Sequence, residues 1–363
     1  MIRILHYGLS SNRGGIETYL NKLWNNIDRS TFKFDFIDTN IEKPCFYDEF
    51  KGLGSNFYKI THRNISISKN KRDLENLFKQ ESFDILHCHL NTLSYIEPVL
   101  IALNHGCEVI VHSRSSGASN SLVTNLLHYY HSIVLPKNKI KKVAVSNLAG
   151  KWLFGKTTNF QTINNGVDIN KFKFNSDNRE RLRRELNIED KFVVGNVGAF
   201  LPAKNHGFIL KIFKELIQIK PEAILLLIGT GPLKKEVQNL VYEMNLQEKV
   251  YFLGIREDIP ELLSAMDFFL FPSIFEGFPN AVLEAQTSGL PCLISDVITD
   301  EVVLSKECIR LPLNLPTENW VNNILNFNMF SNRDQGSIAV EQTGYSVKDE
   351  IKKVEKLYYS VLF

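Results

Sequence analysis

The sequence predicts an α/β protein built from two doubly wound, Rossmann-like domains. Short apolar runs alternate with helix-period segments along the chain, and most runs are nearly continuous rather than alternating. Parallel strands covered by helices on both faces need that continuity. The length of 363 residues exceeds one usual domain and points to two.

The elements follow in order. "IRILHYG" reads as a first strand, "LSSNRGG" as the loop after it, and "IETYLNKLWNNI" as a helix. "FKFDFID", "DILHCHL", "EVIVHS" and "KKVAVS" supply the other strands of the first half, and turn-rich "TINNGVDINKF" reads as a linker. The second series runs helix "DNRERLRRELNI", strand "KFVVGNVGAF", helix "HGFILKIFKELIQI", strand "EAILLLIG" and helix "LKKEVQNLVYEM". Strands "VYFLG", "DFFLFPS" and "PCLISD" follow. In the last segment Ile351, Val354, Leu357, Tyr358, Val361 and Leu362 share one helical face. The expected division is 1–168, 169–345 and a terminal helix over 346–363.

Composition is that of an ordinary globular protein, 44% hydrophobic and 23% charged. A net charge of only +2 argues against nucleic acid as a partner. The charge is unevenly placed, however. From Val109 through Val167 there is no acidic residue, whereas Arg114, Lys137, Lys139, Lys141, Lys142, Lys151 and Lys156 all fall there. Within this block Leu122, Val123, Leu126, Leu127, Tyr130 and Ile133 form an apolar helical stripe ahead of four lysines. Such a segment, 119–142, can lie on an anionic bilayer or turn its stripe to the core. The five cysteines lack paired metal spacing, and "MIRILHYGLS" reads as a strand rather than a leader. The expected compartment is the cytosol, with any membrane contact peripheral at the inner face of the plasma membrane.

Four places can do chemistry. Gly14 and Gly15 lie between a strand and a helix, where backbone N–H groups approach an anion or simply turn the chain. Lys204 lies just beyond a strand's carboxyl end, the ligand edge of a parallel sheet, and its ammonium suits a diphosphate. In "FPSIFEGFPNAVLEAQTSGLP", a helix starting near Asn280 offers first-turn N–H groups from Ala281, Val282 and Leu283 to an anion. Glu276 and Glu284 flank that start. Carboxylates repel a phosphate, so the pair suits uncharged hydroxyls at its two ends. A hydrolytic acid and base is the alternative. His112 and Arg114 close the strand in "VIVHSRSSG", while His87 and His89 share a strand face without an evident third ligand.

Taken together and in this order, the motifs resemble the retaining GT-B glycosyltransferases of family 4, including bacterial polysaccharide glycosyltransferases. The resemblance rests on "GGIETYL", "INNGVD", "VGAFLPAKNH", "LIGTGPL", "FLGIREDIPELLSAMDFFLFPS" and, most specifically, the E-x7-E of "EGFPNAVLE". It implies two domains facing across a cleft, the first for the acceptor and the second for the nucleotide sugar, with the terminal helix crossing back onto the first. It implies that Gly14 and Gly15 approach the diphosphate, that Lys204 binds it, and that Glu276 with the backbone of Gly277, Phe278, Pro279 and Asn280 holds the sugar. Val282 and Leu283 amides would hold phosphate, Glu284 the ribose hydroxyls, and His112 would lie near the transferred sugar.

The implied reaction moves a sugar, from UDP-hexose or UDP-N-acetylhexosamine, to a lipid-linked or polysaccharide hydroxyl in bacterial surface-glycan synthesis. No metal or other cofactor is expected. One departure stands out: the family often has arginine where this chain has Ala199, so a second cation must come from Arg256, Arg114 or Arg13. A sugar-nucleotide-binding scaffold with weak catalysis, and a glycoside hydrolase, are the alternatives.

Overall fold

The computed structural model describes residues 1–117, 121–327 and 332–363. They form two compact units, Met1–Asn165 with Val347–Phe363, and Gly166–Ser346.

The first unit is built on a seven-stranded parallel sheet in the order β3-β2-β1-β4-β5-β6-β7. Its strands are β1 (Ile2–Tyr7), β2 (Phe32–Asp38), β3 (Phe57–Lys59), β4 (Ile85–Leu90), β5 (Glu108–Ser113), β6 (Lys141–Ala144) and β7 (Gln161–Thr162). All six residues of β4 are buried, as a central strand covered on both faces requires. Two short edge strands, β3 and β7, have no readable run: β3 has three residues, and β7 lies at the start of the turn-rich linker.

The terminal helix Val347–Leu362 packs in this same unit. Val347, Ile351, Val354, Leu357 and Tyr358 are buried with Trp24, Phe32 and Phe34, and Val361 and Leu362 pack partly buried against them. Each fully buried aliphatic side chain there contributes roughly 1.5–3 kcal/mol. Lys22 pairs with Glu350 at 2.6 Å, and the Asp28 N–H donates to Glu355 Oε1 at 3.2 Å, fixing the helix lengthwise.

The helix Leu122–Val134 does the opposite with its apolar stripe. Leu122, Val123, Leu126 and Ile133 are 66–81% exposed, joined by Tyr129 and Tyr130. The side turned inward is polar. Leu93 N–H donates to His128 Nδ1 at 3.0 Å, His131 Nδ1 meets Leu93 O at 2.6 Å, and His128 stacks on Trp152 at 4.4 Å. The core-facing alternative for this stripe is therefore set aside, because two histidines occupy the docking face. Residues 119 and 120 of the expected membrane segment lie outside the described residues.

The second unit holds a six-stranded parallel sheet, order β10-β9-β8-β11-β12-β13. The strands are β8 (Phe192–Val197), β9 (Ala223–Ile228), β10 (Val250–Gly254), β11 (Phe268–Phe271), β12 (Cys292–Ser295) and β13 (Cys308–Leu311). The reading of the sequence missed β13, whose "CIRL" is interrupted by a charge. In both sheets the order reverses beside the first strand, between β1 and β4 and between β8 and β11. Those reversals are the switch points where ligands of open α/β sheets bind, beyond the strands' carboxyl ends. Among the described residues no helix is long and apolar enough to cross a membrane.

Candidate active site

In the second unit the chain leaves β8 through Gly198 and Ala199 into a short 3-10 turn, Pro202–Lys204. It leaves β11 through Pro272 into the loop that ends at the helix Asn280–Thr287. Backbone geometry ties these exits together. Ile274 N–H donates to Ala203 O at 2.7 Å, and Asn205 Nδ2 donates to Pro272 O at 3.2 Å. Asn205 has φ +54, a left-handed conformation that asparagine tolerates. A Cβ on Gly229 (φ +137) would lie 2.2 Å from Gly198 O, so only glycine lets the two strand ends approach this closely.

The result brings Lys204 Nζ to 2.5 Å from Glu276 Oε1, although 72 residues separate them. The ammonium also lies 4.7 Å from the centre of the Phe271 ring. Both side chains are mostly buried, with 18% and 14% exposure, which keeps the pair's electrostatics effective while leaving an approach from solvent.

Just beyond, Pro279 caps the helix, and the N–H groups of Val282 and Leu283 donate to its carbonyl at 3.0 and 3.3 Å. A phosphate at this helix start would share those donors with Pro279 O. Gly277, Phe278 and Pro279 are buried, whereas Glu276, Asn280 and Glu284 are half-buried. The Phe278 ring stacks on Tyr345 at 5.7 Å, so its part in any site is through backbone. Arg256 is committed elsewhere: its guanidinium grips Asp258 with two bonds, of 2.7 and 2.5 Å.

The first unit's glycines differ from each other. Glu17, nearly buried, reaches back to accept from Gly14 N–H at 3.0 Å and from Ser10 N–H at 2.9 Å. Gly14 is thus engaged in its own helix cap, while a Cβ on Gly15 would meet nothing within 4 Å.

His112 is fully buried within β5. Its Nδ1 lies 3.2 Å from His87 Nε2 and its Nε2 lies 3.3 Å from Arg114 Nη1. The expected sugar contact would have to reach it past these neighbours. His87 Nδ1 meets Tyr358 OH at 2.9 Å, and His6 Nδ1 meets His89 Nε2 at 3.1 Å. Burial pushes His87, His89 and His112 well below the usual imidazole value and His6 to about 3, so all four are neutral near pH 7. His6 is the third neighbour that sequence reading missed: the nearest ligand atoms of His6, His87 and His89 lie within 4.8 Å of one another. Its position was recoverable in principle, since β1 and β4 adjoin at a switch point and His6 registers with His87.

The fold defines a class, the GT-B architecture of two Rossmann-like domains. The chain superposes, across 99% of its length, on the whole of the Anabaena protein Alr3699/HepE solved with UDP-glucose, with TM-score 0.80 and 18% identity. The family model described as glycosyl transferases group 1 matches residues 178–306. EpsF of Bacillus subtilis (strain 168), which carries the name of a glycosyltransferase, is 31% identical over 89% of this chain and 86% of its own. The chain belongs to the glycosyl transferases group 1 family. An Escherichia coli relative, 26% identical over 83% of this chain and 82% of its own, is named UDP-Gal:alpha-D-GlcNAc-diphosphoundecaprenol alpha-1,3-galactosyltransferase.

Proposed function

We propose that this glycosyltransferase is a retaining, family 4 enzyme. It moves a hexose or N-acetylhexosamine from UDP to a hydroxyl of a lipid-linked or polysaccharide acceptor in bacterial surface-glycan synthesis. The Lys204–Glu276 pair at the β8–β11 switch point carries the reading. A cation and a hydroxyl acceptor sit side by side, the acceptor Glu276 just ahead of the helix that starts at Asn280, as a sugar joined to a diphosphate would need. The E. coli relative's name, with a UDP sugar, a diphosphoundecaprenol acceptor and an alpha linkage, supports the donor and acceptor classes.

In this reading Lys204 and the start of the helix Asn280–Thr287 stabilise the departing diphosphate, the dominant electrostatic task. Glu276 and the backbone from Gly277 to Asn280 orient the sugar's hydroxyls, and Glu284 takes the ribose hydroxyls. Val282 and Leu283 supply amides to phosphate, and the Gly14–Gly15 turn is an anion-approach point of the first unit, the acceptor domain. His112 contributes through Arg114. The acceptor hydroxyl attacks from the leaving-group side and its proton passes to a diphosphate oxygen, which retains configuration. The scheme uses side chains and helix N–H groups for charge neutralisation and calls for no metal.

The outward stripe of the helix Leu122–Val134, ahead of Lys137, Lys139, Lys141 and Lys142, fits a peripheral hold on anionic lipid at the cytoplasmic face. A second reading, UDP-sugar binding with weak turnover, is favoured by Ala199 together with the commitment of Arg256 to Asp258. Release of UDP from UDP-glucose, UDP-galactose and UDP-N-acetylglucosamine, with a prenyl-diphosphate-linked sugar as acceptor, decides between them. Transfer that depends on Lys204 supports the first; UDP binding with no transfer supports the second.

A further inference from the structure

We propose that Arg114 is a phosphoryl-binding residue whose direction is set by a hydrogen-bonded chain of buried histidines ending on the terminal helix. Arg114 follows β5 directly, and its own N–H donates to Leu90 O at 2.9 Å, which fixes its backbone at the carboxyl edge of the sheet. It is 9% exposed. Its guanidinium carbon lies over Tyr19, 3.7 Å from the ring centre, and Nη1 meets His112. Nη2 is buried without a hydrogen-bond partner among the described residues.

A buried cation normally faces a carboxylate, since an unpaired one is costly. The nearby acids are engaged otherwise: Glu350 with Lys22, and Glu17 with the Ser10 and Gly14 amides. No ion pair among the described residues includes Arg114. The unpartnered donor therefore suits an anionic oxygen, and the guanidinium fork suits phosphate.

Arginine can only donate, and that fact orders the whole chain. His112 Nε2 must accept from Nη1, so its proton sits on Nδ1 and is donated to His87 Nε2. His87 in turn carries its proton on Nδ1 and donates to the Tyr358 oxygen. Both histidines are locked as Nδ1–H tautomers, and Arg114 cannot turn without breaking the chain. His112, His87 and Tyr358 are positioning residues. Arg114 combines burial with a donor that has no hydrogen-bond partner among the described residues.

The ligand class rests on the glycosyl-transfer reading, in which both donor and lipid-linked acceptor carry a diphosphate. Titration calorimetry on the full chain separates the two sources, with UDP in one arm and geranyl diphosphate in the other. Arg114→Gln is expected to weaken one of them at least tenfold, with Arg114→Lys between it and the unsubstituted chain; the arm that moves names the source. Unchanged affinity in both arms, or an unsubstituted chain that binds neither, overturns the proposal. Should Arg114→Gln not fold, Arg114→Lys alone decides: it must weaken one arm at least threefold. Side-chain 15N spectra must show two Nδ1–H histidines that both change in Tyr358→Phe; Nε2–H tautomers overturn the positioning chain. Lys204→Ala in the UDP arm tests the transfer reading separately. An unchanged UDP affinity there sinks that reading, whatever Arg114 does to geranyl diphosphate.

Discussion

The carboxyl edges of the two sheets solve the placement of charge in opposite ways. At the β8–β11 edge a lysine and a glutamate meet at 2.5 Å, each still reachable from solvent. At the β1–β4–β5 edge four neutral histidines and one arginine without an ion pair among the described residues lie almost wholly buried. The first arrangement is self-compensating and can exchange one polar partner for a hydroxyl or a phosphate at modest cost. The second depends on desolvation: its imidazoles stay neutral because the sheet and two helices exclude water. A switch point can thus be built from opposite charges in contact or from neutral polar groups kept dry.

The largest expected difference between the edges is their response to acid. His6, His87, His89 and His112 have folded values far below the usual 6.5, with His6 at about 3. Below pH 6.5 the unfolded chain takes up protons that the folded chain refuses. Stability is therefore full above about 6.5 and falls as pH drops, by up to about 1.4 kcal/mol per pH unit for each histidine. The second unit carries one such group, His206, lowered to about 4 by burial and the nearby Lys204. Amide exchange between pH 7 and pH 4.5 is expected to show β1, β4 and β5 losing protection well before β8, β9 and β11. Parallel loss in both units would contradict the contrast.

Next in size is the charged edge itself. Lys204→Ala should lower turnover by about 100-fold or more, on the order of 3 kcal/mol of leaving-group stabilisation. Glu276→Gln, which keeps the shape and removes the charge, should cost less. Steady-state rates with saturating UDP-sugar check both, and near-normal transfer by Lys204→Ala would remove the lysine from its assigned role.

These two edges were not equally readable in the sequence. Lys204, Glu276, Asn280 and Glu284 lie in stretches whose strand, turn and helix signals are local, so position at the sheet edge followed from neighbours in the chain. The salt bridge did not follow, because it depends on the Ile274–Ala203 tie between two loops. At the other edge His6, His87, His89 and His112 come from three strands, and only sheet order makes them one cluster. Tyr358 arrives from the far end of the chain and showed only as part of an apolar face. The outward stripe of Leu122–Val134 was equally hidden, since periodicity shows that a helix has an apolar face and not which way it turns.

That stripe extends the contrast to the surface of the first unit. The terminal helix buries its apolar face, whereas the helix Leu122–Val134 exposes Leu126 at 69% and Ile133 at 81%. Leu126→Glu with Ile133→Glu should leave melting unchanged, because neither side chain packs in the core. It should lower co-sedimentation with phosphatidylglycerol vesicles roughly tenfold or more, through lost apolar insertion and added repulsion. Equal sedimentation of the two forms would leave the stripe without a membrane role.

The smallest change tests the link between the terminal helix and the histidines. Tyr358→Phe keeps the ring among Phe32, Phe34 and Trp24 but deletes the oxygen that His87 Nδ1–H donates to. A buried donor left without an acceptor costs about 1–3 kcal/mol, so the variant should melt a few degrees lower. The loss should appear in amide protection of β4 and of the helix Val347–Leu362 and be absent from β8 and β11. A variant that melts normally and keeps its histidine spectrum would mean that His87 finds its acceptor elsewhere. The dry edge would then be held by exclusion of water alone, with no fixed direction for its protons.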